Sequence, residues 1–381
     1  ITTGAASGLR ESIYNYYTAT PWNQEKTDRA IIDCLYNINK YSDKVTLEDL
    51  RNDPYCKLIP NLNENTVNEV IESINNKITK GTSPWSNEVF YHTGPHHDDI
   101  MLGLLPHIHR VSRNETNTSH FAVMTSGSNA VTNTFLIRAL EETLDFINRN
   151  KIEMLQYPDF FEKGYKIKRD KDSYHYLINV ASGNAIERKR GFSHRLIRDF
   201  IEIWGIKNTE DLKNKIAEVI DQTKSCYDGE KMPEEIRTLK GMIREFEEEL
   251  VWGFFGIKES NIHHLRLGFY TGNLFTEKPN PERDVKPILE QFRAIKPTVI
   301  SLAFNPEGSG PDTHYKVLQA IAQAVREWGK ETDISNVKIW GYRNVWYKFH
   351  PAEATHIVPV SLNAMGVFSN AFENCYLSQV D

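Results

Sequence analysis

No stretch of eighteen apolar residues occurs in the 381-residue sequence, so nothing in it reads as a membrane-spanning helix. Cysteine is scarce: Cys34, Cys56, Cys226 and Cys375 are scattered and form no CxxC pair. That excludes a disulfide framework and a zinc ribbon, and makes a reduced cytoplasm the simplest home. A basic excess is also missing. The formal net charge is −6, and no Lys/Arg run is interleaved with aromatics, which argues against a nucleic-acid partner. The short basic cluster at 187–190 reads as a solvated turn. The first residues, from Ile1, lack the basic-then-apolar pattern of a leader. Hydrophobic residues at 40% and charged residues at 25% fit a globular chain long enough to bury a core without staples.

Residues 1–85 read as a helical segment and linker. Ile31, Ile32, Leu35, Tyr36 and Ile38 recur at helical spacing, as do Val67, Val70, Ile71 and Ile74, and Gly81-Thr-Ser-Pro84 breaks the pattern. From Glu88 the character changes. Short apolar runs at 88–92, 120–124, 264–267, 298–304, 337–340 and 356–360 read as strands, with helical patterns at 243–252, 284–295 and 312–328 between them. Strands alternating with helices predict an α/β domain over 86–381, a Rossmann-like and mostly parallel sheet flanked by helices. The stretch between the second and third runs is far longer than one crossover needs, so residues 140–230 read as a large helical insertion, either a packing or oligomer surface or a substrate lid.

In such sheets ligands bind beyond the carboxyl ends of the strands. His96, Ser126 with Gly127, and Asn305 fall there, after the first, second and fourth runs. His96-His97-Asp98-Asp99 is dense in groups that hold divalent ions. His96 and Asp99, three apart on a turn opening a helix, can grip one ion, leaving Asp98 free to take a proton from water. The same residues can instead cap the following helix. His263 and His264 start the third run and read as structural.

Gly94-Pro-His-His-Asp-Asp-Ile-Met-Leu-Gly103 resembles the Ala-His-Pro-Asp-Asp-Glu signature of the PIG-L/LmbE-like N-deacetylases. The likeness continues through Phe121-Ala-Val-Met-Thr-Ser-Gly127, Arg244 and Glu247, Leu265-Arg-Leu-Gly-Phe269, the loop from Asn305 to His314, Val358-Pro-Val-Ser361, and Ser378-Gln379. It covers roughly residues 88–379 apart from the insertion. The resemblance implies a zinc-dependent enzyme, with another divalent ion as an option, that removes acetyl groups from N-acetylglucosamine-type compounds. It implies His96, Asp99 and His314 as metal ligands and Asp98 as general base. The chain departs from the pattern at three places: His97 replaces the signature proline, Ile100 the glutamate, and Gly310 the first histidine of the last motif, whose metal histidine is displaced by one residue. Trp346-Tyr-Lys-Phe-His-Pro-Ala-Glu353, with Gly4-Ala-Ala-Ser-Gly-Leu9 and Thr20-Pro-Trp22, resembles bacterial proteins that fuse a glucosamine-6-phosphate deaminase to a C-terminal domain of this type.

The expected chemistry is amide hydrolysis by water, with Asp98 moving the proton and Asp312 orienting a ligand. Ser126 and Asn305 are candidate substrate contacts. Arg244 is either a third such contact or the partner of a nearby glutamate. Trp346, Tyr347 and His350 line a sugar platform or fill core. The expected partners are an amino-sugar substrate, a fused deaminase domain and a second copy of the chain. The alternative is a non-catalytic carbohydrate-binding or structural domain attached to a deaminase.

Overall fold

The alternating apolar runs pair side by side in the computed structural model, which describes residues 15–18, 21–271, 276–304, 312–343 and 348–380. The chain folds as two compact units, one of residues 1–84 and 348–360, the other of residues 85–347 and 361–381.

The second unit is built on a five-stranded, wholly parallel sheet in the order β3-β2-β1-β4-β5. The strands are β1 (Val89–Gly94), β2 (Thr118–Val123), β3 (Ile262–His264), β4 (Val299–Ala303) and β5 (Lys338–Tyr342). Every residue of β4 is buried, as a central parallel strand covered on both faces requires. Side chains alternate between two cores. Phe121 and Ala303 join a cluster with Ile100 and Leu104, while Ala122, Ile300 and Leu302 join Phe292, Val317 and Trp328 on the other face.

Numbering helices along the chain, the first unit contributes α1 (Gln24–Asn37), α2 (Leu47–Asn52) and α3 (Thr66–Thr82). In the second unit α4 (Asp99–Val111) follows β1. Between β2 and β3 come α5 (Asn133–Asn148), α6 (Asp172–Ala181), α7 (Ala185–Trp204), α8 (Thr209–Lys224) and α9 (Glu234–Phe254). Then come α10 (Lys286–Ile295), α11 (Asp312–Glu331), α12 (Leu362–Cys375) and α13 (Leu377–Val380). Trp252 of α9 stacks on Phe121 of β2 at 3.9 Å, which anchors that helix to the sheet. No helix among the described residues is long and apolar enough to cross a membrane.

Two strand expectations change. Residues 356–360 form no strand and belong to the first unit, where the Ile357 amide donates to the Lys77 carbonyl. The third strand starts and ends earlier than its apolar pattern suggests, at Ile262–His264. Arg266 turns the backbone left-handed (φ 48°), though the Leu265 and Leu267 amides still donate to the Val123 and Met124 carbonyls. His264 therefore sits at the carboxyl end of its strand.

In the first unit Ile31, Cys34, Leu50, Cys56, Val67 and Val70 make the core. The Lys77 ammonium donates to the carbonyls of Pro351 and Ala352 and pairs with Asp28 at 3.3 Å. His350 Nε2 meets Asp33 Oδ1 at 3.1 Å, a role inside this unit. Trp346 and Tyr347 lie outside the described residues.

Candidate active site

In the order 3-2-1-4-5 the chain leaves the sheet centre in opposite directions from β1 and β4, which opens a crevice at their carboxyl ends. His96 lies on the turn after β1, and His314 in the first turn of α11, the helix that follows β4. Their rings are 5.4 Å apart. His314 Nε2 lies 3.3 Å from Asp99 Oδ2, and that oxygen also accepts the His96 amide at 2.8 Å. The fold thus brings His96, Asp99 and His314 together from positions more than 200 residues apart.

Thr125, at the end of β2, fixes the His96 ring. Its hydroxyl donates to the Pro95 carbonyl at 2.8 Å, so its oxygen accepts from His96 Nδ1, also at 2.8 Å. The proton is then on Nδ1, and Nε2 holds the lone pair. Burial lowers the pKa of His96 and takes that of His314 to about 4, so both imidazoles stand neutral, the form that binds metal. Tyr270 lies edge-on to His96 at 5.7 Å.

Two neutral imidazoles and a carboxylate suit zinc and related ions by donor type. The set is not closed, however. Among the described residues, the one group whose donor atoms all lie within 4.8 Å of one another is Cys34, Asp53 and Cys56 in the first unit. The chemistry there is less favourable. Cys56 Sγ donates to the Ala30 carbonyl at 3.2 Å, Asp53 Oδ1 accepts the Tyr55 and Cys56 amides, and burial pushes both thiols up. Those thiols are satisfied core groups rather than ready thiolates.

Asp98 differs from its neighbours. Its side chain makes no cap bond to α4, and at 30% exposure it is the open carboxylate of the turn. Arg244 Nη2 reaches it at 3.4 Å, while Nη1 is held by Glu247 Oε2 at 3.0 Å. Burial opposes the Arg244 charge, but Glu247 and Asp98 outweigh it and hold its pKa above the ordinary value. Glu247 is held in turn by the amide and hydroxyl of Ser378. Of the two readings of Arg244, the glutamate pair is the one formed. With 1% of the residue exposed, Arg244 braces Asp98.

The other expected residues lie elsewhere. Asp312 is on the open side of α11, where it pairs with Lys316 and accepts the Thr276 hydroxyl at 2.8 Å; those contacts, not a ligand histidine, are its partners. Lys316 lowers its pKa. Ser126 packs beneath α9, where Gly241 leaves it room: a Cβ there would come within 3.1 Å of Ser126 Cβ. Asn305 and Gly310 lie outside the described residues. His97 points inward with its ring fully buried. It stacks on His264 at 5.9 Å and backs onto Gly127, whose left-handed turn (φ 58°) a side chain would obstruct, a Cβ falling 3.0 Å from His97 Nδ1. His264, expected at the end of the strand away from the site, is next to it because β3 ends there. Thr125 stood in the resembling stretch 121–127 with no role assigned, and Tyr270 and Tyr376 carried no signal of their own in the sequence.

No protein-family model matches the chain, and no solved structure matches it. It is 31% identical over 197 residues to a Bacteroides thetaiotaomicron protein named "Putative glucosamine-6-phosphate deaminase-like protein". The match covers 50% of this chain and 28% of that protein, so the chain spans less than a third of its relative's length.

Proposed function

We propose that the chain is a divalent-metal amide hydrolase that removes the N-acetyl group from an N-acetylglucosamine-type amino sugar. The observation that carries the reading is the meeting of His96, Asp99 and His314 at the sheet's switch point, with His96 Nε2 left as the lone-pair nitrogen. The resemblance to PIG-L/LmbE-like N-deacetylases gives the reaction class, and the relative's name gives the amino-sugar context. Four free cysteines fit a reducing cytoplasm, the location proposed with this reading.

His96, Asp99 and His314 would hold the ion, with zinc the one that suits these donors. Such an ion supplies Lewis acidity to an amide carbonyl and to water. Asp98, the open carboxylate, accepts a proton as water attacks the carbonyl carbon and returns it to the nitrogen as the C–N bond breaks, giving acetate and an amine. Arg244 and Glu247 hold Asp98 in place. Asp312 has no part in this scheme.

The experiment is metal content together with acetate release. Asp98→Asn should keep its metal and lose about 10²- to 10⁴-fold in turnover. Normal hydrolysis by that variant refutes the base assignment. The open spacing of the three donors favours one other reading, a carbohydrate-binding domain without turnover. Sugar binding by the wild-type chain, with zinc present and no acetate released from any acetylated amino sugar, would select it.

A further inference from the structure

The C-terminal segment returns to α9 beside the His96 turn, where one hydroxyl has more acceptors than protons. Tyr376 Oη lies 2.5 Å from the carbonyl oxygen of His97 and 2.8 Å from Glu248 Oε2. A phenol carries one proton, a carbonyl only accepts, and an ionised carboxylate only accepts. Were Glu248 ionised, one of these short contacts would hold no hydrogen, between fully buried oxygens. We propose that Glu248 is a protonated carboxylic acid that donates to Tyr376, which donates to the His97 carbonyl, so that both are positioning residues for the turn bearing His96 and Asp98.

The surroundings agree. The second oxygen, Oε1, accepts the Trp252 indole N–H, as the carbonyl oxygen of a neutral acid would. Arg244, the cation whose field reaches Glu248, is engaged by Glu247 and Asp98. Burial is the largest influence on Glu248 and takes its pKa to about 8; Asp98 pushes the same way, while the Trp252 and Tyr376 bonds and Arg244 pull it down. Tyr342, also buried nearby, feels the same carboxyl. Two neighbouring glutamates of α9 thus hold the turn by separate arms, Glu248 through Tyr376 to the backbone and Glu247 through Arg244 to Asp98. The proton on Glu248 is independent of any reaction; its value for hydrolysis rests on the function proposed above.

The test needs no substrate. Infrared difference spectra of the wild-type chain against Glu248→Gln at pH 7 should show one protonated-carboxyl band in the wild type, fading as pH rises past about 8. Hydrogen exchange of the peptide spanning 95–99 should match wild type in Glu248→Gln, which keeps a donor for Tyr376, and quicken about tenfold or more in Glu248→Ala and Tyr376→Phe. Exchange raised only in that peptide separates positioning from general destabilisation. The proposal is overturned if Glu248→Gln removes no acid band, or if it exchanges as fast as Glu248→Ala. Should Tyr376→Phe not fold, the Gln, Ala and wild-type comparison still decides. Failure of the deacetylase assay alone leaves these outcomes untouched.

Discussion

Thr125 decides which nitrogen of His96 carries the proton, because its own single proton is committed to the Pro95 carbonyl. Thr125→Val keeps the shape and removes the hydroxyl. Metal affinity, read by chelator competition, should fall about 10- to 100-fold, the usual cost of losing a ligand's outer partner. Unchanged affinity would mean that the ring needs no such hold. His96, Asp98, Asp99 and His314 were legible in the sequence because a short motif and an ordered resemblance carry them. The hold of Thr125 on His96 was not, although Thr125 stands in a resembling stretch, since the two meet across neighbouring strands, 29 residues apart. Asp312 was misread for a helical reason. Two residues apart on a helix project roughly 200° apart, so when His314 faces the site Asp312 faces Thr276 and Lys316.

Among the elements, α9 shows most clearly what sequence patterns conceal. Glu245, Glu247, Glu248 and Glu249 form an acidic run spread around the helix, of the residue type that stays in water unless paired, yet all four are buried. Burial is tolerable because each carboxyl has a partner from another part of the chain or the next turn: Arg266 for Glu245, Arg244 and Ser378 for Glu247, Tyr376 and Trp252 for Glu248, Arg195 for Glu249. Those partners are tertiary facts, which no window of local sequence reveals. The central strands β1, β2 and β4 were legible for the opposite reason, since their burial is written in runs of apolar residues. Glycines sharpen the contrast between elements. In α3, a Cβ on Gly81 would fall 2.1 Å from the Ile357 carbonyl oxygen. Gly81→Ala should therefore displace segment 348–360 and cost about 2 kcal/mol or more. In α12, Gly366 has nothing within 4 Å of a built Cβ, so Gly366→Ala should stabilise by about 0.5–1 kcal/mol. Denaturant titration of the two variants tests both signs, and equal effects would refute the contact argument.

Across the whole molecule, buried titratable groups set a stability window from two sides. His92, His194, His263 and His264 are neutral because burial lowers their pKa values, to about 3 for His194 and about 4 for His263. Their unfolded value is 6.5, so the stability they contribute is present above that pH and is lost as pH falls toward 4. Glu248 and Glu259 act in the other direction. Burial raises them from 4.5 to about 8 and about 7, so their contribution is present below 4.5 and is lost as pH rises through those values. Between 4.5 and 6.5 the two sets oppose each other. Burial also lowers His109, His120 and His356 and raises Asp172, Asp199 and Glu247, so away from the crevice seven histidines stand against five carboxyls and stability rises with pH. Above 6.5 the histidines no longer contribute a slope, and the glutamates pull stability down. Thermal unfolding from pH 4 to 9 should therefore peak near pH 6.5. Glu248→Gln should flatten the alkaline side, and His263→Gln should soften the acid side while leaving the alkaline side unchanged. A curve that climbs steadily to pH 9, or an alkaline side indifferent to Glu248→Gln, would show that the buried acid is ionised in the folded chain.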